Sequence, residues 1–172
     1  MTTHALMGWR LLAGPFAVVL AMSGCARLPT TAGYAVPPIP VQEARIWFYR
    51  DLDPNGSMGM PNVRLNGAAV GASQAGGAFY RDVPPGHYHI TADSYLTDPI
   101  QTRDVDLVAG QEVYAKVLSL DNWIDGFAQD AGSGYHRDTF YVWLTPPEVA
   151  RPRIAQSSFY GDGTLTAAAP PR

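Results

Sequence analysis

The sequence predicts an all-β fold, an antiparallel β-sandwich of about seven strands, and two observations carry that expectation. From Ala44 onward, short runs rich in β-branched and aromatic residues alternate with clusters of Gly, Pro, Asn and Asp, and helical periodicity is absent. In two of the runs, His87 to Asp93 and Arg103 to Leu107, apolar and polar residues alternate with a period of two, so these strands have one dry and one wet face. Two packed sheets bury such faces without the help of helices.

The first run is Arg45-Ile46-Trp47-Phe48-Tyr49-Arg50. Val63-Arg64-Leu65 and Ala68-Ala69-Val70 flank Asn66-Gly67, the strongest short hairpin signal, because a type I′ turn needs positive φ at both central positions. Gly77 to Val83 leads into Pro84-Pro85-Gly86, where Pro85 presets φ for a type II turn and Gly86 is expected to take the positive φ. In the next strand Tyr88, Ile90 and Ala92 share the core face, while His87, His89, Thr91 and Asp93 face solvent. Arg103-Asp104-Val105-Asp106-Leu107 repeats the alternation. Val108-Ala109-Gly110-Gln111 turns the chain into Glu112 to Leu118, and Phe140 to Leu144 is the last clear strand.

The domain is residues 44–146. It is preceded by two segments of different composition. Arg10 and the uncharged run Leu11 to Met22 have the make-up of a removable secretory signal over residues 1–24, too short for the roughly 20 apolar residues of a spanning helix. Either Met1 or Met7 can start it. Met22-Ser23-Gly24-Cys25 resembles the bacterial lipobox, with Met22 where Leu is usual. Cys25 is the single cysteine of the chain, so neither a disulfide nor a multi-cysteine metal site is available, and a covalent lipid on its sulfur is the expectation. Two or three acyl chains hold a protein on a membrane durably. Ala26 follows the cysteine, which by likeness to sorted lipoproteins implies the outer membrane, facing the periplasm. Residues 25–43 carry Pro29, Pro37, Pro38 and Pro40 and read as an extended tether. Residues 147–172 read as a Pro/Gly-rich tail, disordered from Gly161.

Once the signal is removed, about 148 residues remain, enough for one domain. Twelve Lys and Arg against fifteen Asp and Glu, with no run of one sign, leave no polyanion-binding face and exclude nucleic acid as a partner.

The segments Ala44 to Arg50, Val63 to Gly67, Phe79-Tyr80-Arg81-Asp82-Val83-Pro84-Pro85-Gly86-His87-Tyr88 and Val108 to Gln111 together resemble the bacterial lipoprotein family known as domain of unknown function number 2846. The Pro-Gly-x-Tyr turn is also similar to that of transthyretin-like and carboxypeptidase-regulatory-like sandwiches. The resemblance spans about Ala44 to Val117 and implies a non-enzymatic envelope sandwich. After Leu144 the chain departs from the family, having prolines where a charged, helix-prone tail is usual.

Four constellations carry possible chemistry. Asp51, Asp53 and Asn55, followed by Gly56, match the first half of a calcium loop, but Asn62 stands where the closing Glu belongs. A polar turn between strands explains the same residues. His87 and His89 share one strand face and could seat zinc or copper if Asp93 or His136 converged; solvent exposure explains them equally well. Gly71-Ala72-Ser73-Gln74-Ala75 falls short of a nucleophile elbow and lacks its strand-to-helix context. Trp123, Phe127 and Tyr135, among Asp121, Asp125 and Asp130, form an aromatic and acidic loop suited to a protein contact or a sugar ring. The expectation is therefore a non-catalytic, lipid-anchored sandwich without a cofactor, binding an envelope protein or, alternatively, a glycan such as peptidoglycan, with a metal-binding periplasmic domain as the third reading.

Overall fold

The computed structural model describes residues 29–54, 56–95, 98–119 and 139–161. It is a two-sheet sandwich. Sheet A has the order β8-β7-β1-β4-β9 and sheet B the order β3-β2-β5-β6, with β1 Ala44–Tyr49, β2 Asn62–Leu65, β3 Ala68–Ala72, β4 Gly77–Val83, β5 Gly86–Ala92, β6 Arg103–Leu107, β7 Glu112–Ser119, β8 Phe140–Leu144 and β9 Ser158–Phe159. Ile46, Phe48, Val63, Phe79, Ile90, Val117 and Val142 fill the space between the sheets. The β2–β3 hairpin turns on Asn66 and Gly67 with φ of 49° and 84°, as a type I′ turn requires. Tyr88 and Ala92 pack on the core with Ile90, as the period of two predicts.

Four expectations need correction. The sandwich is not wholly antiparallel: β1 pairs with β7 and β4 with β9 in parallel. Between β1 and β7 the chain crosses to sheet B for β2 and β3, returns for β4, and crosses again for β5 and β6, so that β7 re-enters sheet A in the direction of β1. Gly86 does have a positive φ, 156°, but it opens β5 instead of taking the second central position of a type II turn, since Pro84 and Pro85 carry the chain from sheet A to sheet B.

The third correction concerns the tail. Pro147–Gln156 is a helix, α1, and β9 follows it. Pro147 stands in its first turn, where an N–H has no intrahelical partner anyway, and Glu148 suits the positive end of the helix dipole. Pro152 removes one hydrogen bond, a loss offset by burial of Ala150 and Ile154, one turn apart, against sheet A. The fourth concerns the tether, which lies on the domain from Pro29 onward. Thr30 bridges Ser158, Thr31 is buried, Tyr34 rests against Phe159, and the Pro37 carbonyl accepts a hydrogen bond from Arg45 at 2.8 Å.

These two segments give sheet A a second core on its outer face, made of Trp47, Tyr49, Ala78, Tyr80, Tyr114, Ala150, Ile154 and Phe159. Every residue of β1 is buried as a consequence. Strand direction sorts the connections. The segments after β1, β3, β5 and β7 all leave from one end of the sandwich, and tight turns occupy the other. Cross-links such as Ser57 N–H to Ser119 Oγ, Ser73 N–H to the Pro61 carbonyl and Phe140 N–H to Ser94 Oγ hold that loop end together.

Candidate functional site

Three surfaces bear on function, and the first is a groove on the outer face of sheet A. In β7 and β8, Lys116 stands opposite Trp143. Helix α1 covers Trp47 and Tyr114 but stops short of β8, leaving an open groove of about 370 Å³ lined by Tyr49, Lys116, Leu118, Trp143, Thr145, Val149 and Arg153. Trp143 is 52% exposed and Val149 51%. The Arg103 guanidinium lies 4.5 Å from the centre of the Trp143 ring and donates to the Ile100 and Thr102 carbonyls, so the indole is held from behind. The two cations of the groove are spent on one carboxylate: Asp51 lies 2.8 Å from Lys116 Nζ and 3.5 Å from an Arg153 nitrogen. What the groove offers is therefore an apolar floor with a rigid aromatic rim, a shape suited to an inserted apolar side chain.

On the other flank of α1 the polar groups are fully engaged. Glu112 accepts from Trp47 Nε1 at 2.7 Å and from the Tyr114 hydroxyl, and Arg151 lies 3.1 Å away. Burial alone would raise the Glu112 carboxyl, but these donors and the Arg151 charge hold it below the usual range. Burial and the Glu112 carboxylate push Tyr114 up to about 12, so its hydroxyl stays protonated and donating at neutral pH. Arg45 forms a two-pronged pair with Asp82 at 2.6 and 2.8 Å, and its guanidinium lies over the Tyr80 ring. These groups stitch the strap and the helix to the sheet, and Glu112, Tyr114 and Arg151 also line a shallow open pocket of about 160 Å³ beside Trp47 and Ile154.

The third surface is the wet face of sheet B. His87 and His89 stand there as predicted, and the register sets Asp106 opposite His87 and Asp104 opposite His89. Their Nδ1 atoms lie 2.8 Å from Asp106 and Asp104, and His87 Nε2 lies 3.5 Å from Asp104. Hydrogen bonding to Asp106 raises the His87 pKa. These pairs are cross-strand His–Asp hydrogen bonds on an open sheet. Asp93, the suggested third ligand, is occupied by Arg64 and Asn62 instead. Among the described residues no group of three or more His, Cys, Asp or Glu is arranged to hold a metal ion.

The remaining sequence-predicted residues divide simply. Asp51 and Asp53 lie in the β1–β2 connection, with Asp51 drawn to two cations rather than toward a shared cation site, and Asn55 lies outside the described residues. Cys25, Trp123, Phe127, Tyr135 and His136 also lie outside them. Sequence reasoning missed the groove, because Trp143 belongs to no motif; its one signal is a large aromatic on the polar side of an edge strand. No described helix is long and apolar enough to cross a membrane.

No curated protein matches the chain. The family described as "Protein of unknown function (DUF2846)" matches residues 40–126, just over half of the 172-residue chain, from the entry to β1 past the end of β7, so Tyr49, Lys116 and Leu118 of the groove fall inside the match and Trp143, Val149 and Arg153 beyond it. The chain belongs to this DUF2846 family.

Proposed function

We propose that this protein is a non-catalytic, lipid-anchored component of the bacterial cell envelope whose sandwich binds a protein partner. The observation that carries the reading is the groove between β8 and α1, where Trp143, held from behind by Arg103, borders an open apolar floor. An aromatic side chain already ordered before contact loses little conformational entropy on binding, which is why such residues dominate interface energetics. Lys116 and Arg153 are both drawn to Asp51 at one side of the groove, and the apolar floor beside them suits an inserted apolar side chain. The loop containing Trp123, Phe127 and Tyr135 connects β7 to β8, the two strands whose Leu118 and Trp143 line the groove, and is proposed to extend the same contact surface. Cys25 supplies the anchor through a covalent lipid, and the outer membrane is the proposed address.

The test is cross-linking in intact cells with mass spectrometry, comparing wild type, Cys25→Ala and Trp143→Ala. A discrete envelope protein attached near the groove, weakened by Trp143→Ala and lost with the anchor, is the expected result. Attachment to peptidoglycan fragments would point to a glycan-binding module, and adducts indifferent to Trp143 would remove the groove from the account.

A further inference from the structure

We propose that the β1–β2 connection, at the loop end of the sandwich, docks on the bilayer surface, with Leu52, Met58 and Met60 entering the interface between headgroups and acyl chains. This deepens the anchoring reading and rests on lipidation at Cys25. The first observation is where the described chain begins. Pro29 accepts a hydrogen bond from Phe159 N–H at 2.8 Å, Thr30 bridges Ser158, and Ser158 N–H donates to Gly76 in the β3–β4 connection. That connection belongs to the loop end. Leu52 packs directly on Gly76, its Cβ only 3.1 Å from where a side chain there would start. The strap then runs away across sheet A toward Pro37 and the opposite end, where Arg45 opens β1. The anchor therefore enters at the loop end, beside Leu52.

Four peptide steps separate Cys25 from Pro29, a reach of at most about 14 Å. With residues from Pro29 onward fixed to the domain, the tether is too short to hold this end clear of the membrane. The second observation is what the end exposes. Leu52, Met58 and Met60 are 69%, 76% and 64% exposed on a single connection, and Tyr95 and Ile100 add apolar surface from the β5–β6 connection. The buried Ser57 and Arg50 fix that connection from below: Ser57 N–H donates to Ser119 Oγ, and Arg50 donates to the Gly59 carbonyl at 2.7 Å and to the Ser57 carbonyl. Methionine and leucine held outward on a braced loop, with Asp51 beside them neutralised by Lys116 and Arg153, suit the apolar side of a headgroup layer. Tyrosine suits its polar edge.

The lipidated mature protein in vesicles of phosphatidylethanolamine and phosphatidylglycerol, doped with a phospholipid bearing a photoreactive diazirine on its acyl chain, tests this directly. After photolysis, adducts are expected on the tryptic peptide Asp51–Arg64, and they are expected to be lost in the folded triple variant Leu52→Ser, Met58→Ser, Met60→Ser. The mass of peptide Cys25–Arg27 reports the acyl chains independently. Acylated Cys25 with no adduct on Asp51–Arg64 would overturn the docking and leave the anchor standing. An unmodified Cys25 would overturn the anchor and the docking together.

Discussion

The two outer faces of the sandwich are built from strands of similar length and lead opposite lives. The outer face of sheet B is wet: His87, His89, Asp104 and Asp106 stand in cross-strand pairs, and a period of two is visible in β5 and β6. The outer face of sheet A is a second hydrophobic core, roofed by α1 and by the strap from Pro29 to Pro37, with one uncovered strip at the groove. The difference teaches that exposure on this fold is decided by what crosses the outer face of a sheet. The strip left open, rather than the face that is open throughout, is where an apolar partner gains most.

The largest test of that contrast is Trp47→Ala. The side chain is buried under α1 and its indole N–H bonds Glu112, so its loss is expected to destabilise by about 3–5 kcal/mol in urea melts, as for an inter-sheet residue. A cost under about 1 kcal/mol would mean that the roof is loosely placed. Inside the sandwich, Gly71→Ala would drive a methyl into the Phe79 ring and is expected to cost about 1–3 kcal/mol by the same measurement.

Glu112→Gln breaks the polar seam beneath α1 without making a cavity, with an expected loss of about 1–3 kcal/mol at neutral pH. Because the folded carboxyl is held below its ordinary value of 4.5, the stability it contributes is present above that value and is lost as pH falls through the folded pKa. The gap between wild type and variant should therefore close on acidification, which melting curves across acid pH would record. On the wet face the expected effect is small and of opposite sign in pH. The Asp106 hydrogen bond raises the His87 pKa above 6.5, so its contribution is present below that value and is lost as pH rises through the folded pKa. His87→Gln should lower the melting temperature slightly at pH 5 and leave it unchanged at pH 9. An equal shift at both would show that the imidazole charge plays no part.

Elements whose signal is local were legible in the sequence. Asn66-Gly67 specified its turn, and the alternation through Tyr88, Ile90 and Ala92 named the dry face of β5. The roof over sheet A was not legible, because its evidence is tertiary. Pro146, Pro147 and Pro152 speak against a helix locally, and only Ala150 and Ile154, spaced one turn apart, carry an apolar signal. Yet Ile46-Trp47-Phe48-Tyr49 shows no alternation, and an unbroken apolar run marks a strand buried on both faces. That run is the one local signal of a cover on the far side of β1, and it does not say which segment supplies the cover. For the candidate surfaces, the wet-face histidines were found from spacing, whereas their partners Asp104 and Asp106 needed the β5–β6 register. Trp143 needed both Arg103, from the opposite sheet, and the end of the helix roof before it became a rim.

The most direct test of the central claim places a photo-reactive amino acid at Val149, on the groove, and separately at Asp106, on the wet face, in the lipidated protein in living cells. The account predicts one discrete envelope protein cross-linked from Val149 and none from Asp106, with the Val149 adduct lost on Trp143→Ala. The same adduct from both positions, or none from Val149, would contradict it.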